Sequence, residues 1–349
     1  MGLIAPQRLA LGTCALGRAI DAHGVPLDRG PALRGRSVAL ELRLPRPNER
    51  IPIVLPLWTG VRAIDGLLTI GRGARVGIFG APGTGKSTLI EEIVDGSASD
   101  AVVVALVGER GREAHHWIGR RNHGMTLVCA TSDRPAHERV RAAQVAIAHA
   151  RSLCERGLHV LLVLDSLARL AAGLREIAVC AGESVGRGGY PPSVFSDLAR
   201  FIEVAGAFID GSITLIATVL HDGDDRDPVS EASRALLDGH LALSVRRAER
   251  GLFPAIDVPA SASRTMQAVA AQAHLHDARV VRRAIALLDR IEDARALGIE
   301  NHDAGAVAAI AAEARIESFL RHECGQLTHA ATLDELAAIA RLLDENGAS

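Results

Sequence analysis

From Pro56 to about Arg264 short, almost wholly apolar runs alternate with longer stretches of helical period. The apolar runs are Val76–Phe79, Val102–Val107, Thr126–Cys129, Val160–Leu164, Ile213–Leu220 and Leu241–Ser244. A half-exposed strand would carry a polar residue at every second position. These runs do not, so both faces are expected to be buried, as in a largely parallel sheet covered by helices on both faces. After about Met266 the period becomes helical throughout: Val280, Ala284, Leu287, Leu288 and Ile291 share one face. Thr332-Leu333-Asp334-Glu335 reads as a capping box opening a helix that carries Leu336, Ile339 and Leu343. Residues 1–55 hold many Gly and Pro residues and only short apolar pieces, Leu9–Leu16 and Val38–Leu44, which predicts a few strands and loops without a core of their own. The expected organisation is a connector-like segment over 1–55, an α/β domain over 56–266 and a helical domain over 267–349.

Composition narrows this picture only a little. With 48% hydrophobic and 23% charged residues among 349, the chain is that of a compact protein rather than a disordered or disulfide-scaffold one. Its 39 Lys and Arg against 41 Asp and Glu give a net charge of −2, so no global field draws nucleic acid or anionic lipid. The five cysteines are scattered without a C-x-x-C pair, which favours reduced thiols in the cytosol over a zinc site. No apolar run approaches the roughly 18 residues that cross a bilayer. Met1–Gly17 has one Arg and no small-residue cleavage site, so a short strand is expected there and not a signal peptide.

The chemistry begins after the Val76–Phe79 run. Gly80-Ala81-Pro82-Gly83-Thr84-Gly85-Lys86-Ser87 is a P-loop in its required place between a strand and the helix opening Thr88-Leu89-Ile90. Gly80, Gly83 and Gly85 let backbone N–H groups converge on phosphates, and Thr84, Ser87 and Thr88 complete the cradle. Lys86 neutralises the β- and γ-phosphates, and the Ser87 hydroxyl is offered to Mg2+. A P-loop needs an acidic partner for the metal, and the run Val160–Leu164 delivers Asp165 at its end, the Walker B candidate. Taken alone, an Asp there would merely cap a loop or a helix. A further strand ends in Gly108-Glu109-Arg110-Gly111-Arg112-Glu113, which puts two carboxylates and two guanidinium groups at the carboxyl edge of the sheet, where ligands bind. A structural salt-bridge cluster is the alternative reading of that group.

With these residues in hand the sequence resembles the ATPases of type III protein secretion and flagellar export, relatives of the catalytic subunit of rotary ATP synthases. The resemblance is carried by Thr59-Gly60-Val61-Arg62-Ala63-Ile64-Asp65-Gly66-Leu67-Leu68, the P-loop, Gly108–Glu113, Asp165-Ser166-Leu167-Ala168-Arg169, Tyr190-Pro191-Pro192-Ser193-Val194-Phe195, Phe253–Val258 and Ser261-Ala262-Ser263-Arg264. It implies a RecA-like P-loop domain. It further implies that Glu109 polarises the attacking water, Arg110 contacts the γ-phosphate, and Glu113 holds Mg2+ through water beside Ser87 and Asp165. Phe253 would stack on adenine, and Arg264 would be an arginine finger entering the neighbouring subunit's site, giving hydrolysis that depends on a ring. Thr131–Pro135 and Leu174–Ile177 look closer to the virulence-type branch than to the flagellar one.

The implied protein is a homohexameric ATPase using ATP and Mg2+ in the cytoplasm, peripheral at the inner membrane through the apparatus. Its implied partners are secretion chaperones, cargo proteins, and the stalk and stator proteins of the export apparatus, with no nucleic acid. Three departures stand out. Gly188 replaces an arginine, Ala168 replaces a threonine, and His221-Asp222-Gly223-Asp224-Asp225 stands where the family has Val-Glu-Gly-Asp-Asp. The chain also starts at what resembles the last strands of the family's N-terminal β-barrel, followed by the connector Leu16–Asp21, so most of that barrel is expected to be absent. A Rho-like RNA translocase, a flagellar export ATPase and a non-catalytic truncated scaffold are the rival readings. The histidines His115, His116, His274, His276 and His322 fall at no recognised metal-ligand spacing.

Overall fold

The computed structural model describes residues 7–220, 227–297, 303–321 and 328–347. The stretch His221–Asp225 and the residues His322 and Cys324 lie outside them. The chain forms two compact units, one of Met1–Ile53, Arg72–Phe79 and Ser99–Asp238, the other of Val54–Gly71, Gly80–Ala98 and Gly239–Ser349.

The first unit is an α/β body on a mostly parallel sheet. Its strands lie in the order Arg75–Gly80, Ser212–Leu220, His159–Asp165, Ala101–Glu109, Met125–Thr131 and Ala19–Asp21. The last five run parallel, with Val104 opposite Val163 and Leu106 opposite Asp165. Every residue of Ala101–Glu109 is buried, as the unbroken apolar run required. The helix Ala136–Cys154 packs against four of these strands through small residues such as Ala142, Ala143 and Ala146, which let backbone come close to the sheet.

In the first fifty residues Leu11, Ala15, Ile20 and Ala22 are almost wholly buried in the same core as Val103, Leu162 and Leu215. Ala19–Asp21 supplies the edge strand of the sheet, and Arg8–Ala10 pairs antiparallel with Ser37–Ala39. Arg18 holds this segment by a two-pronged ion pair to Asp28, at 2.7 and 3.0 Å. Asp28 also accepts from the Ala19 and Gly30 amides, and the Arg18 hydrogen bond keeps its carboxyl far below the ordinary range.

The second unit carries the P-loop helix Lys86–Gly96, the antiparallel pair Gly239–Leu243 with Ile256–Ser263, and the long helices Gln272–Ala296, Ala304–Leu320 and His329–Gly347 packed on one another. The last of these starts earlier than the Thr332 capping box predicted. Thr328 is the cap, its hydroxyl accepting from the Ala331 amide at 3.3 Å, and Thr332 is buried inside the helix. Ser244 likewise ends no strand: its side chain caps the short helix Val245–Glu249.

Candidate active site

The second unit shows why the P-loop has its residues. A Cβ on Gly80 would sit 2.7 Å from the Thr84 hydroxyl and 3.0 Å from Leu243 Cβ, so only glycine leaves room for the loop to turn. Gly83 and Gly85 have φ of +83° and +88°, and Gly85 leads directly into the helix Lys86–Gly96. Thr84 is buried, its hydroxyl donating to the Ala81 carbonyl at 2.8 Å. The Lys86 ammonium reaches back along the loop and donates to the Gly80 and Ala81 carbonyls at 2.7 Å each. Ser87 and Thr88 are exposed on the first turn, where unbonded N–H groups and the helix dipole favour an anion.

An aromatic ring lies beside that loop. Phe253 is 42% exposed, uncommon for a phenylalanine, and its ring edge lies 3.1 and 3.2 Å from where a Gly85 Cβ would be. A ring half open to solvent next to a phosphate cradle can accept a flat base on its face. Arg264, at the end of the strand Ile256–Ser263, is exposed and has no ion pair among the described residues.

The motif Thr59–Asp65 acts on the other end of the P-loop helix. Gly60, at φ +79°, and Gly96 touch backbone to backbone: a Cβ on Gly60 would come within 2.9 Å of Gly96 Cα, and one on Gly96 within 2.6 Å of the Thr59 carbonyl. Asp65 fixes this turn. Its buried carboxylate accepts from the Thr59 amide at 2.8 Å, the Thr59 hydroxyl at 2.7 Å and the Gly60 amide at 2.9 Å. Burial nevertheless pushes its pKa up to about 6.

In the first unit the acidic residues sit at the carboxyl ends of parallel strands. Asp165 ends its strand and accepts a hydrogen bond of 2.5 Å from the Thr218 hydroxyl of the neighbouring strand. Glu109 follows Gly108, whose φ of +73° coincides with a register shift against the next strand. The kink turns the Glu109 side chain into contact with Arg169, and the two form an ion pair with the carboxylate almost wholly buried. Glu109 is therefore not part of a local cluster with Arg110 and Arg112, both of which are exposed. Glu113 lies in the first turn of the helix Gly111–Arg120, and its Oε2 is buried without a hydrogen-bond partner.

Arg169 and Thr218 were not singled out by sequence reasoning. Arg169 stood in view within Asp165–Arg169. Thr218 had a weaker signal, being one of two threonines four apart in the otherwise apolar run Ile213–Leu220.

Within the first unit Asp165 and Glu113 offer hard carboxylate oxygen atoms of the kind Mg2+ takes, and Glu113 Oε2 is buried without a hydrogen-bond partner. Among the described residues no group of three or more His, Cys, Asp or Glu could hold a metal by itself. Mg2+ needs no such cage, because it takes one or two carboxylates and completes its shell with phosphates and water.

Gly188 has its own local reason. At φ +62° a Cβ there would lie 2.5 Å from the Pro228 ring, while Arg187 beside it pairs with Glu231 at 2.5 Å. Ala168 is partly buried on the first turn after Asp165, and nothing in the structure explains its replacing a threonine.

The model of the ATP synthase alpha/beta family nucleotide-binding domain matches residues 60–263. A type 3 secretion system ATPase of Sinorhizobium fredii is 47% identical over 275 residues, which cover 77% of this chain and 61% of that relative. The SPI-2 type 3 secretion system ATPase of Salmonella typhimurium is 44% identical over 304 residues, 84% of this chain and 69% of that one. The flagellum-specific ATP synthase of Salmonella typhimurium is 42% identical over 308 residues, 85% and 67% of the two chains. Among solved structures, the assembled ATPase EscN of the enteropathogenic E. coli type III secretion system superposes with a TM-score of 0.90 at 38% identity, covering 95% of this chain and 83% of that one. EscN has also been solved in complex with its central stalk EscO. The chain belongs to the ATP synthase alpha/beta nucleotide-binding family and, within it, to the type 3 secretion and flagellar export ATPases.

Proposed function

We propose that this chain hydrolyses ATP as the motor of a type III protein secretion system, releasing cargo from chaperones and unfolding it for export. The observation that carries the nucleotide reading is the half-exposed Phe253 ring against Gly85, a base platform beside a phosphate cradle within one unit. Lys86 and the P-loop amides hold the phosphates. Ser87, Asp165 and Glu113 would hold Mg2+, which would supply positive charge to offset that of the nucleotide's phosphates. Glu109 orients the attacking water, and Arg110 contacts the γ-phosphate. The exposed, unpaired guanidinium of Arg264 suits a role in a neighbouring subunit's site, where it would stabilise the charge on the transferring phosphoryl group.

Working rings are hexamers in this reading, placed in the cytoplasm at the inner membrane and met by chaperones, cargo, and stalk and stator proteins. That EscN is an assembled ATPase with a central stalk supports it. No helix among the described residues is long and apolar enough to cross a membrane, so attachment through the apparatus is the arrangement proposed. Flagellar export is the second reading, favoured by the 42% identity to the flagellar relative.

ATP hydrolysis per protomer, measured against protein concentration, tests the core of the proposal. Specific activity should climb with concentration, and both Lys86→Ala and Arg264→Ala should abolish it. Wild-type activity equal to that of Lys86→Ala at every concentration would overturn it. Restoring export in a secretion mutant but not in a flagellar one would separate the two readings.

A further inference from the structure

The first unit contains a second place suited to an anion. A cavity of about 220 Å3 opens between the antiparallel pair Arg8–Ala10/Ser37–Ala39 and the C-terminal half of the helix Ala136–Cys154. Four arginines line it, Arg8, Arg36, Arg43 and Arg151, against the carboxylates Glu41 and Glu155. The lining therefore carries two net positive charges in a chain whose net charge is −2.

The guanidinium groups are not equivalent. Arg8 is fixed on the wall by bonds of 2.9 Å to Ser37 Oγ and 2.6 Å to the Ser37 carbonyl. Arg43 is held by Glu49 at 2.7 Å. Arg151 stacks over the Phe208 ring, 4.6 Å from its centroid, and only its Nε faces Glu155. Its Nη1 is buried without a hydrogen-bond partner. Arg36 is exposed and has no side-chain partner among the described residues. Ile147, Ala148 and Val204 give the cavity an apolar floor, and Ser152 adds a hydroxyl.

We propose that this cavity binds a small dianion, a phosphate monoester or a diphosphate, separately from the P-loop. Arg36, and the part of the Arg151 guanidinium that Glu155 leaves unpaired, can offer N–H groups to the oxygens of a phosphoryl group, with Arg8 and Arg43 adding field. The volume suits a compact ligand and is too small for a folded partner.

The probe is pyrophosphate, titrated calorimetrically into the Lys86→Ala chain so that the P-loop does not report. One saturable site is expected, weakening steeply with added salt. Arg36→Ser and Arg151→Met should each lower its affinity by about tenfold, the loss of one charge-assisted contact. Methionine keeps apolar bulk on Phe208, and circular dichroism with urea unfolding checks that both variants fold. Absence of saturable binding, or binding indifferent to both substitutions in folded protein, overturns the proposal. So does arginine-dependent sedimentation with anionic phospholipid vesicles in the absence of pyrophosphate binding, which would make the patch a lipid surface. The readout does not depend on ATP hydrolysis, so its failure is distinct from failure of the motor reading.

Discussion

The P-loop and the carboxylate edge are built by different means. In the P-loop the polar groups bond to their own loop: Lys86 to Gly80 and Ala81, Thr84 to Ala81. At the carboxylate edge two of the acids are held by residues from other elements, Asp165 by Thr218 and Glu109 by Arg169. A phosphate cradle is a matter of local backbone geometry. A site that must orient water depends on side chains fixed by tertiary packing. Substitutions in the two regions should accordingly fail in different ways.

The largest effect is expected from removing the groups at each centre. Lys86→Ala should lower hydrolysis by about 10³-fold and weaken nucleotide binding, since the lysine acts on the ground state as well as the transition state. Glu109→Gln should lower kcat by a comparable factor of about 10² to 10³ while nucleotide affinity stays nearly unchanged. Equilibrium binding of a fluorescent nucleotide, alongside turnover, separates the two. Equal loss of binding in both variants would break the contrast.

Acid should also tell the two units apart. His149 is fully buried in the first unit, accepting from the Gly12 amide at 3.3 Å and donating to the Thr126 hydroxyl at 2.9 Å. Burial pulls its pKa down to about 4 from 6.5. The unfolded chain then binds the proton more readily, so the stability from neutral His149 is full above pH 6.5 and is lost as pH falls towards 4. Asp65 in the second unit has the opposite sign. Its pKa is raised from 3.8 to about 6, so its folded form takes the proton first, and its contribution falls as pH rises from 4 to 6. Each is worth about 3 kcal/mol at most across its window. Urea unfolding of His149→Gln and Asp65→Asn, each differenced from wild type between pH 4 and 7, should give slopes of opposite sign. Slopes of the same sign would contradict the assignment.

The same distinction explains what could be read from the sequence. Gly80–Ser87 is legible because eight adjacent residues define the loop, and the six apolar runs of the α/β region reappear as strands. Asp165 was legible because its strand is an unbroken apolar run. Arg169 was visible but had no assigned partner, because its contact with Glu109 spans sixty residues and depends on the kink at Gly108. Where the first fifty residues pack was not legible for a related reason: short apolar pieces such as Leu11 and Ile20 do not name the sheet they join. The true cap of the last helix, Thr328, lacked the acidic residue three positions on that made Thr332 conspicuous.

Arg169 is the residue on which the edge reading turns. Arg169→Ala leaves Glu109 in place but unsupported, so kcat should fall by about 10- to 100-fold with nucleotide affinity within about threefold. A purely structural role would instead lower the urea midpoint in step with activity. Arg169→Lys should restore part of kcat but not all of it, because an ammonium cannot reproduce the planar fork. Stopped turnover in Arg169→Ala together with a loss of nucleotide binding would move this residue from the carboxylate side of the comparison to the cradle side.

Phe253 should give the smallest effect and the sharpest attribution. Leucine at this position keeps apolar contact with Gly85 but removes the flat face, and a base–aromatic stack is worth about 1–3 kcal/mol. Phe253→Leu should therefore raise KM for ATP by about tenfold, with kcat within about threefold, and Phe253→Tyr should behave almost as wild type. The adenine moiety is far in covalent terms from the reacting phosphoryl group, so a platform for it contributes equally to ground and transition states. Inorganic tripolyphosphate supplies the control. It lacks a base, so its competition with ATP should tighten relative to ATP in Phe253→Leu, whereas a Phe253 ring that only props the P-loop would weaken both ligands together.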